Sequence, residues 1–478
     1  MTNSIGLKNK SLISLILTIF SLPVVLLDPR IGKFLFILIS IVVFLEILKG
    51  NWIDTRIGLI AFTTIYYFGT YINFFFLKNF HFTSGPISYV MSNEQINFLS
   101  LHYVVVFQLG ILVSYFSKDI SFNRIKKDDL GYYKNFFLNW DFFLTAKFGL
   151  PVLLIVLFID SLSLDWSRIR SEYTLESMST IFFWLYLIFS LIALRLLYKN
   201  FLNKKRIYFE YFLVFVLLIF MNYLGVRQVL VWGLLTVIIS YFFYLFKVKK
   251  VKLDFKNNIF YSVLLVASGI ALLLLINISF LFRHQKTEMI NILFNLSLAQ
   301  LFKALLNGFI AETTFTTYNL LAVVDNILKG NSMFPFKNIF DFFIMIVPSF
   351  LYPEKYNMIY FSEFSRQYNV TPFGTWFIVG QFASSFKYPF FVFLSSYTYS
   401  TLQIKILEFL WKKSNLMIEY CLFYGLTYVF TSLYVVRGIT EGGLKVCLTI
   451  FIGLYFFKFV LRFIKKSIRV TNFKIEKK

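Results

Sequence analysis

The residues of this chain able to do chemistry stand mostly in a few short polar strings between long apolar runs. Arg168 and Arg170 lie in DWSRIRSEY, Arg227 lies in LGVRQ two residues after Gly225, and Arg283 adjoins His284. Lys355 and Arg366 lie in LYPEKYNMIYFSEFSRQY, and Arg437 opens RGITEGG. A guanidinium is always charged and offers a planar two-toothed fork, which suits a doubly charged diphosphate. Each of these cations also suits a phospholipid headgroup. Arg227 and Arg437, each beside a glycine in a minimal loop, are the sharper candidates for a diphosphate on a lipid. The candidate bases are Glu312 in AETTFTTYN, His284, Glu441 and Glu172, and residues of each kind are more often surface or capping residues. Metal chemistry has little to stand on, since the first predicted outer loop is DPRIGK and Asp28 alone is poor cation cover. No cofactor is expected. Cys421 and Cys447 fall inside apolar runs and imply neither a disulfide nor a thiolate metal site.

The elements that must position these residues are apolar helices. The chain has 478 residues, is 58% hydrophobic and carries charge on only 15% of positions, with a mean hydropathy of +0.71. Soluble domains carry about a quarter charged residues, and no soluble fold hides this much apolar surface. The net charge of +23 is split into clusters between apolar runs rather than gathered on one face, so it reads as a topology signal and not as nucleic-acid binding. Windows near 20 residues place spans at 11–27, 34–48, 57–77, 98–117, 142–159, 180–198, 207–223, 229–246, 259–280, 388–406, 416–436 and 445–461. The second is short. The first lacks a small-residue cleavage site and reads as a retained helix.

With the N-terminus cytoplasmic, the inner segments include Lys8 to Lys10, Lys118 to Lys134, Lys199 to Arg206, Lys247 to Lys256, Lys405 to Lys413 and the tail from Arg462. All are basic, as the positive-inside rule requires. The expectation is therefore an all-α fold, a polytopic membrane helical bundle of about 12 transmembrane helices. Residues 1–280 form an N-terminal membrane region, 281–376 a large extracytoplasmic loop, and 377–478 a C-terminal membrane region with a basic tail. Both termini are expected in the cytoplasm and the chain in a membrane. His102 and Lys147 fall within spans, near enough to the ends to snorkel or face the rim.

The long loop should carry amphipathic helices. Met289 to Phe309 has apolar residues at helical spacing and Asn338 to Val347 is a second apolar run, both expected to lie on the membrane or cap the bundle. Should both span, the count rises by two and the orientation survives. There is no internal repeat, and no inverted pair of broken helices of the kind found in many secondary transporters.

This arrangement resembles bacterial oligosaccharide repeat-unit polymerases of the Wzy type. The resemblance rests on Gly225-x-Arg227 in a tight outer hairpin, a large late outer loop, VPSFLYPEK from Val347 to Lys355, GTWFIVGQFASSF from Gly374 to Phe386, and VVRGIT around Arg437. It covers the second half of the chain through these strings and the first half through topology alone. Where the family's glycine-rich stretch usually carries Glu, this chain has Gln381. The resemblance implies an inverting transfer of a growing glycan from undecaprenyl pyrophosphate to a hydroxyl of a second lipid-linked repeat, building O-antigen or capsule. Arg168, Arg170, Arg227, Arg283, Lys355, Arg366 and Arg437 would hold pyrophosphate or glycan, and Glu312, His284 or Glu441 would supply the base. The implied partners are the undecaprenyl-pyrophosphate-linked oligosaccharide, membrane lipid, a chain-length regulator and a flippase. Two other classes fit the layout: a flippase or transporter for lipid-linked oligosaccharide, and an O-antigen-ligase-like transferase. A transporter predicts polar groups around a mid-membrane cavity, whereas the charges here gather at the outer rim.

Overall fold

The computed structural model describes residues 31–49, 51–72, 93–117, 227–248, 298–331, 376–414 and 417–437, with shorter pieces between 341 and 370 and between 443 and 452. All the secondary structure among them is helical, with no strand. The helices are α1 (Ile31–Leu48), α2 (Thr55–Ile72), α3 (Glu94–Ser117), α4 (Arg227–Phe243), α5 (Leu298–Leu328), α6 (Ile378–Phe386), α7 (Pro389–Lys413), α8 (Met417–Tyr428) and α9 (Tyr434–Arg437). A 3₁₀ turn, Asn51–Ile53, precedes α2, and π turns follow α4 (Tyr244–Val248) and join α8 to α9 (Val429–Leu433). Two compact units divide the chain: Met1–Asp129 with Met221–Gly443, and Leu130–Phe220 with Leu444–Lys478. All nine helices lie in the first. Of the second, short helical pieces at 444, 447–448 and 451–452 are described, with Cys447 buried.

Local chemistry sets the helix ends. Asn93 caps α3, its Oδ1 accepting the Ile96 N–H at 3.2 Å. Asp54 caps α2 in the same way through the Arg56 N–H at 2.9 Å. Pro389 begins α7, where its missing N–H costs nothing. Gly330, at a φ of 81°, ends α5 in a Schellman turn: the Asn331 N–H reaches the Asn326 carbonyl at 2.9 Å and the Gly330 N–H reaches Ile327 at 3.1 Å.

Helix α3 is the centre of the first unit. It is apolar on all sides and buried from Ser100 to Tyr115, and it alone among the described helices is long and apolar enough to cross a membrane. Helix α7 runs parallel to it. Tyr103 donates to the Lys387 carbonyl, Gly110 lies against Ser396 and the Phe393 carbonyl, and the Ser114 and Thr401 hydroxyls are 3.3 Å apart. Helix α5 runs antiparallel to α2, with Thr313 against Gly69 and the Thr317 hydroxyl donating to the Tyr66 carbonyl at 3.1 Å. Polar residues are buried along with the apolar core, and a row of large apolar residues is exposed. Gln108, Thr316, Thr317, Asn319, Ser396 and Gln403 are inside, while Phe34, Ile37, Leu38, Ile41, Phe44, Leu45 and Leu48 line an exposed stripe on α1.

Helices were expected at 34–48, 57–77, 98–117, 229–246, 388–406 and 416–436, and each has a counterpart here. The expected spans at 11–27, 142–159, 180–198, 207–223 and 259–280 lie outside the described residues. The segment 281–376, expected as an outer loop carrying amphipathic helices, is described in part. It contains α5, of 31 residues, whose C-terminal half from Thr313 is buried in the bundle rather than laid on a surface. From Thr313 to Leu328 the helix rises about 22 Å, enough to descend alongside α2 from Gly69 to the level of Arg56. The hydroxyls of Thr313, Thr314, Thr316 and Thr317 lower the hydropathy of this stretch, yet a threonine buries readily when its hydroxyl finds a carbonyl, as Thr317 does.

Candidate functional site

Helices α4 and α8–α9 form an antiparallel pair whose contacts can be followed from end to end. Phe243 stacks on Tyr424 with centroids 3.9 Å apart and meets Tyr420 at 5.7 Å. Midway, Gly425 lies so close to Ser240 and the Thr236 carbonyl that an added Cβ would sit 2.6 Å from that oxygen. Near the far end, Trp232 meets Tyr434 at 5.7 Å. Arg227 is the first residue of α4 and Arg437 the last of α9. Adjacent antiparallel helices therefore bring these two arginines to one end of the bundle. The first turn of α4 adds unpaired backbone N–H groups and the positive end of the helix dipole to that end. Its surroundings favour an anion.

Glu312 belongs to the same end. It precedes Thr313 on α5, at the level of Gly69 near the C-terminus of α2, and α2 runs in the same direction as α8. That direction is set at the other end, where the Tyr424 and Tyr428 hydroxyls donate to the Ile53 and Trp52 carbonyls at 2.6 and 2.8 Å. Arg227, Arg437 and Glu312 thus share the end that the charge pattern assigns to the extracytoplasmic face. Arg168, Arg170, Arg283, His284, Lys355, Arg366 and Glu441 lie outside the described residues.

The opposite end is closed by the α1–α2 turn. Arg56, 1% exposed, forms a two-toothed pair with Asp54 at 2.9 and 2.8 Å and donates to the Ser114 carbonyl at 2.8 Å. Its guanidinium lies 5.1 Å from the Tyr115 ring centroid. Tyr115 in turn donates to Glu46 at 2.7 Å, and Glu46 also accepts from Asn51 at 2.7 Å and pairs with Lys49 at 2.8 Å. Trp52, within this turn, packs against α4, 5.3 Å from Phe242. These are structural contacts in which each charge faces its counter-charge. The sequence reading passed over them because a turn of mixed charge at a cytoplasmic helix end looks like a solvated one.

Between the two ends lies α6, a nine-residue helix buried from Ile378 to Ser385. Asn319 on α5 staples it: its Oδ1 accepts the Phe377 N–H at 3.1 Å and its Nδ2 donates to the Val370 carbonyl at 3.1 Å. Gly380 permits that approach, since a Cβ there would lie 2.5 Å from Asn319 Oδ1. Gln381 is buried within α6, and its carbonyl accepts from the Ser384 and Ser385 hydroxyls at 2.9 and 2.7 Å. Asn319 was missed from the sequence; one amide in a threonine-rich run gives no sign that it bridges two strands of chain 51 and 58 residues away.

Among the described residues no group of three or more His, Cys, Asp and Glu is placed to hold a metal ion. No family model matches the chain, and neither a curated protein nor a solved structure matches it.

Proposed function

We propose that the chain is a membrane glycosyltransferase of the repeat-unit polymerase kind, using lipid-linked pyrophosphate glycans at the extracytoplasmic face of a bacterial plasma membrane. The observation that carries this reading is the pairing of Arg227 and Arg437 at one end of the antiparallel helices α4 and α8–α9. The membrane setting is supported by the stripe on α1. Seven large apolar side chains left in water would cost on the order of 10 kcal/mol, as much as the whole net stability of a typical domain. In lipid that cost disappears.

The chemistry then follows from charge. The acceptor sugar hydroxyl attacks the anomeric carbon of the donor, a new glycosidic C–O bond forms, and the bond from that carbon to the pyrophosphate oxygen breaks. The hydroxyl proton passes to a base, for which Glu312 stands at the right end of the bundle, and polyprenyl pyrophosphate leaves. Negative charge grows on the departing oxygen, and two arginines there stabilise it more in the transition state than in the ground state. Purified protein in vesicles, given polyprenyl-pyrophosphate-linked repeat, should make a ladder of polymer. Unchanged repeats would overturn the reading.

A second reading, a flippase for the same glycan, draws on α6. A short helix that begins inside the bundle resembles the broken helices at the centre of many transporters. Loss of the gene separates the two, because a polymerase loss leaves single repeats on the surface and a flippase loss leaves none exported.

A further inference from the structure

We propose that the π turn Val429–Leu433 sets the position of Arg437, and that Gln403 and Tyr399 of α7 are the positioning residues that hold this turn; the link to activity rests on the proposed role of Arg437. The turn is defined by the Tyr434 N–H, which reaches five residues back to the Val429 carbonyl. It is a single widened turn within an otherwise regular helix from Met417 to Arg437.

Its effect on facing is large. Gly425 and Tyr434 both lie against α4, the first on Thr236 and Ser240 and the second on Trp232. Nine residues apart in a regular α-helix, they would face about 180° from each other, since each residue turns the helix by about 100°. One extra residue taken up by the π turn brings the difference to about 80°. Both then fit one neighbouring helix. Arg437, three residues beyond Tyr434, shares that rotation. Without the π turn, the end of the helix would be swung away from α4 and from Arg227.

A π turn interrupts the regular ladder and leaves carbonyls in need of donors. Here the Thr431 carbonyl receives two, the Tyr399 hydroxyl at 2.9 Å and Gln403 Nε2 at 2.6 Å. Gln403 Nε2 also lies 3.0 Å from the Thr431 hydroxyl and 3.3 Å from that of Ser432. All four residues are buried, so water is not at hand to take the place of these donors. A second contact falls on the same turn. Gly443 packs against the Phe430 carbonyl, and a Cβ there would lie 2.9 Å from Val435. Gly443 therefore lies against the turn that α7 holds.

The test uses the full chain in membranes, with Cys421 and Cys447 replaced by alanine and a cysteine pair introduced by Trp232→Cys and Tyr434→Cys. Disulfide formation is read as the yield of the joined peptide by mass spectrometry. A Ser114→Cys and Thr401→Cys pair, prepared separately, reports that α3 and α7 remain docked. Adding Gln403→Met and Tyr399→Phe should lower the 232–434 yield at least fivefold while the 114–401 yield holds. Tyr399→Phe alone, which keeps the ring, carries the test should the double change unfold the protein, with a smaller loss expected. An undiminished 232–434 yield overturns the assignment of these residues to the turn, whatever the protein's activity. For the link to activity, Gln403→Met should shorten the glycan ladder about tenfold in an otherwise unchanged chain and add nothing in Arg437→Ala. Reduced pairing with a full ladder overturns that link. Failure of the arginine reading itself shows separately, as a full ladder from Arg437→Ala alone.

Discussion

Tyr434 meets Trp232 edge to face, with ring centroids 5.7 Å apart and planes inclined by 76°. This contact between α9 and α4 lies within five residues of Arg227 and three of Arg437, and it fixes the relative height of the two helix ends. Aromatic pairs of this geometry hold by shape as much as by area, which would suit the membrane setting proposed above, where no hydrophobic force drives helices together. Close packing of small residues does the rest.

Gly110 is the sharpest case of that packing. A Cβ there would lie 2.5 Å from the Phe393 carbonyl and collide with the Ser396 hydroxyl. Gly110→Ala should force α3 and α7 apart and cost about 1 to 3 kcal/mol, read as a lower melting temperature in detergent. Adding Ser396→Ala clears the hydroxyl but leaves the backbone oxygen, so it should restore only part of the loss. A Gly110→Ala protein as stable as wild type would show that the helices are looser than described.

The Asp54–Arg56 pair makes a prediction of opposite sign for one change and two. Asp54→Asn leaves the Arg56 guanidinium buried without its counter-charge, a loss of about 3 to 5 kcal/mol for such sites. Pairing it with Arg56→Met removes the charge altogether and should recover most of the stability, since a buried pair is often no better than well-packed apolar groups. Equilibrium unfolding of both variants decides it. A double variant less stable than the single would mean that the Arg56 contact with the Ser114 carbonyl outweighs the charge.

Legibility in the sequence followed hydropathy closely. Helices α3, α4, α7 and α8 were readable because their apolar runs are long and bounded by basic clusters. Helix α5 was only half readable. Its first turns, with Leu301 and Leu305 at helical spacing, look like a surface helix, and its buried half is disguised by Thr313 to Thr317. Arg227 and Arg437 were readable as candidates from a glycine beside each, although the structure puts them on helix ends rather than in short loops. What joins Arg227 to Arg437 was not, because VFTSL carries no sign of a π turn; that turn exists through donors from Tyr399 and Gln403, 32 and 28 residues distant.

The course of α5 can be checked by labelling. Leu328 and Lys329 are exposed at the level of Arg56, whereas Tyr388, 59% exposed, lies at the opposite end beside Lys387. Lys329→Cys should react with a membrane-impermeant maleimide only after the cytoplasmic side is opened, and Tyr388→Cys should react in intact cells. Labelling of both from outside would return α5 to the surface, as a cap on the outer end.

The last prediction concerns the two arginines. Lysine keeps the charge of Arg227 or Arg437 but loses the planar fork, so Arg227→Lys and Arg437→Lys should each reduce polymer yield markedly with membrane insertion intact. Loss of one charge-assisted contact made mainly in the transition state is worth about 2 to 3 kcal/mol, roughly a hundredfold in rate. Because the two residues sit on adjacent helix ends and would share one pyrophosphate, Arg227→Ala with Arg437→Ala should cost less than the product of the single losses. Headgroup anchors behave differently: lysine would serve nearly as well and alanine would cost little. Glycan ladders from cells with matched protein levels distinguish the cases. Full-length ladders from both alanine variants would remove these residues from the site, and with them the reason for placing the chemistry at this end of the bundle.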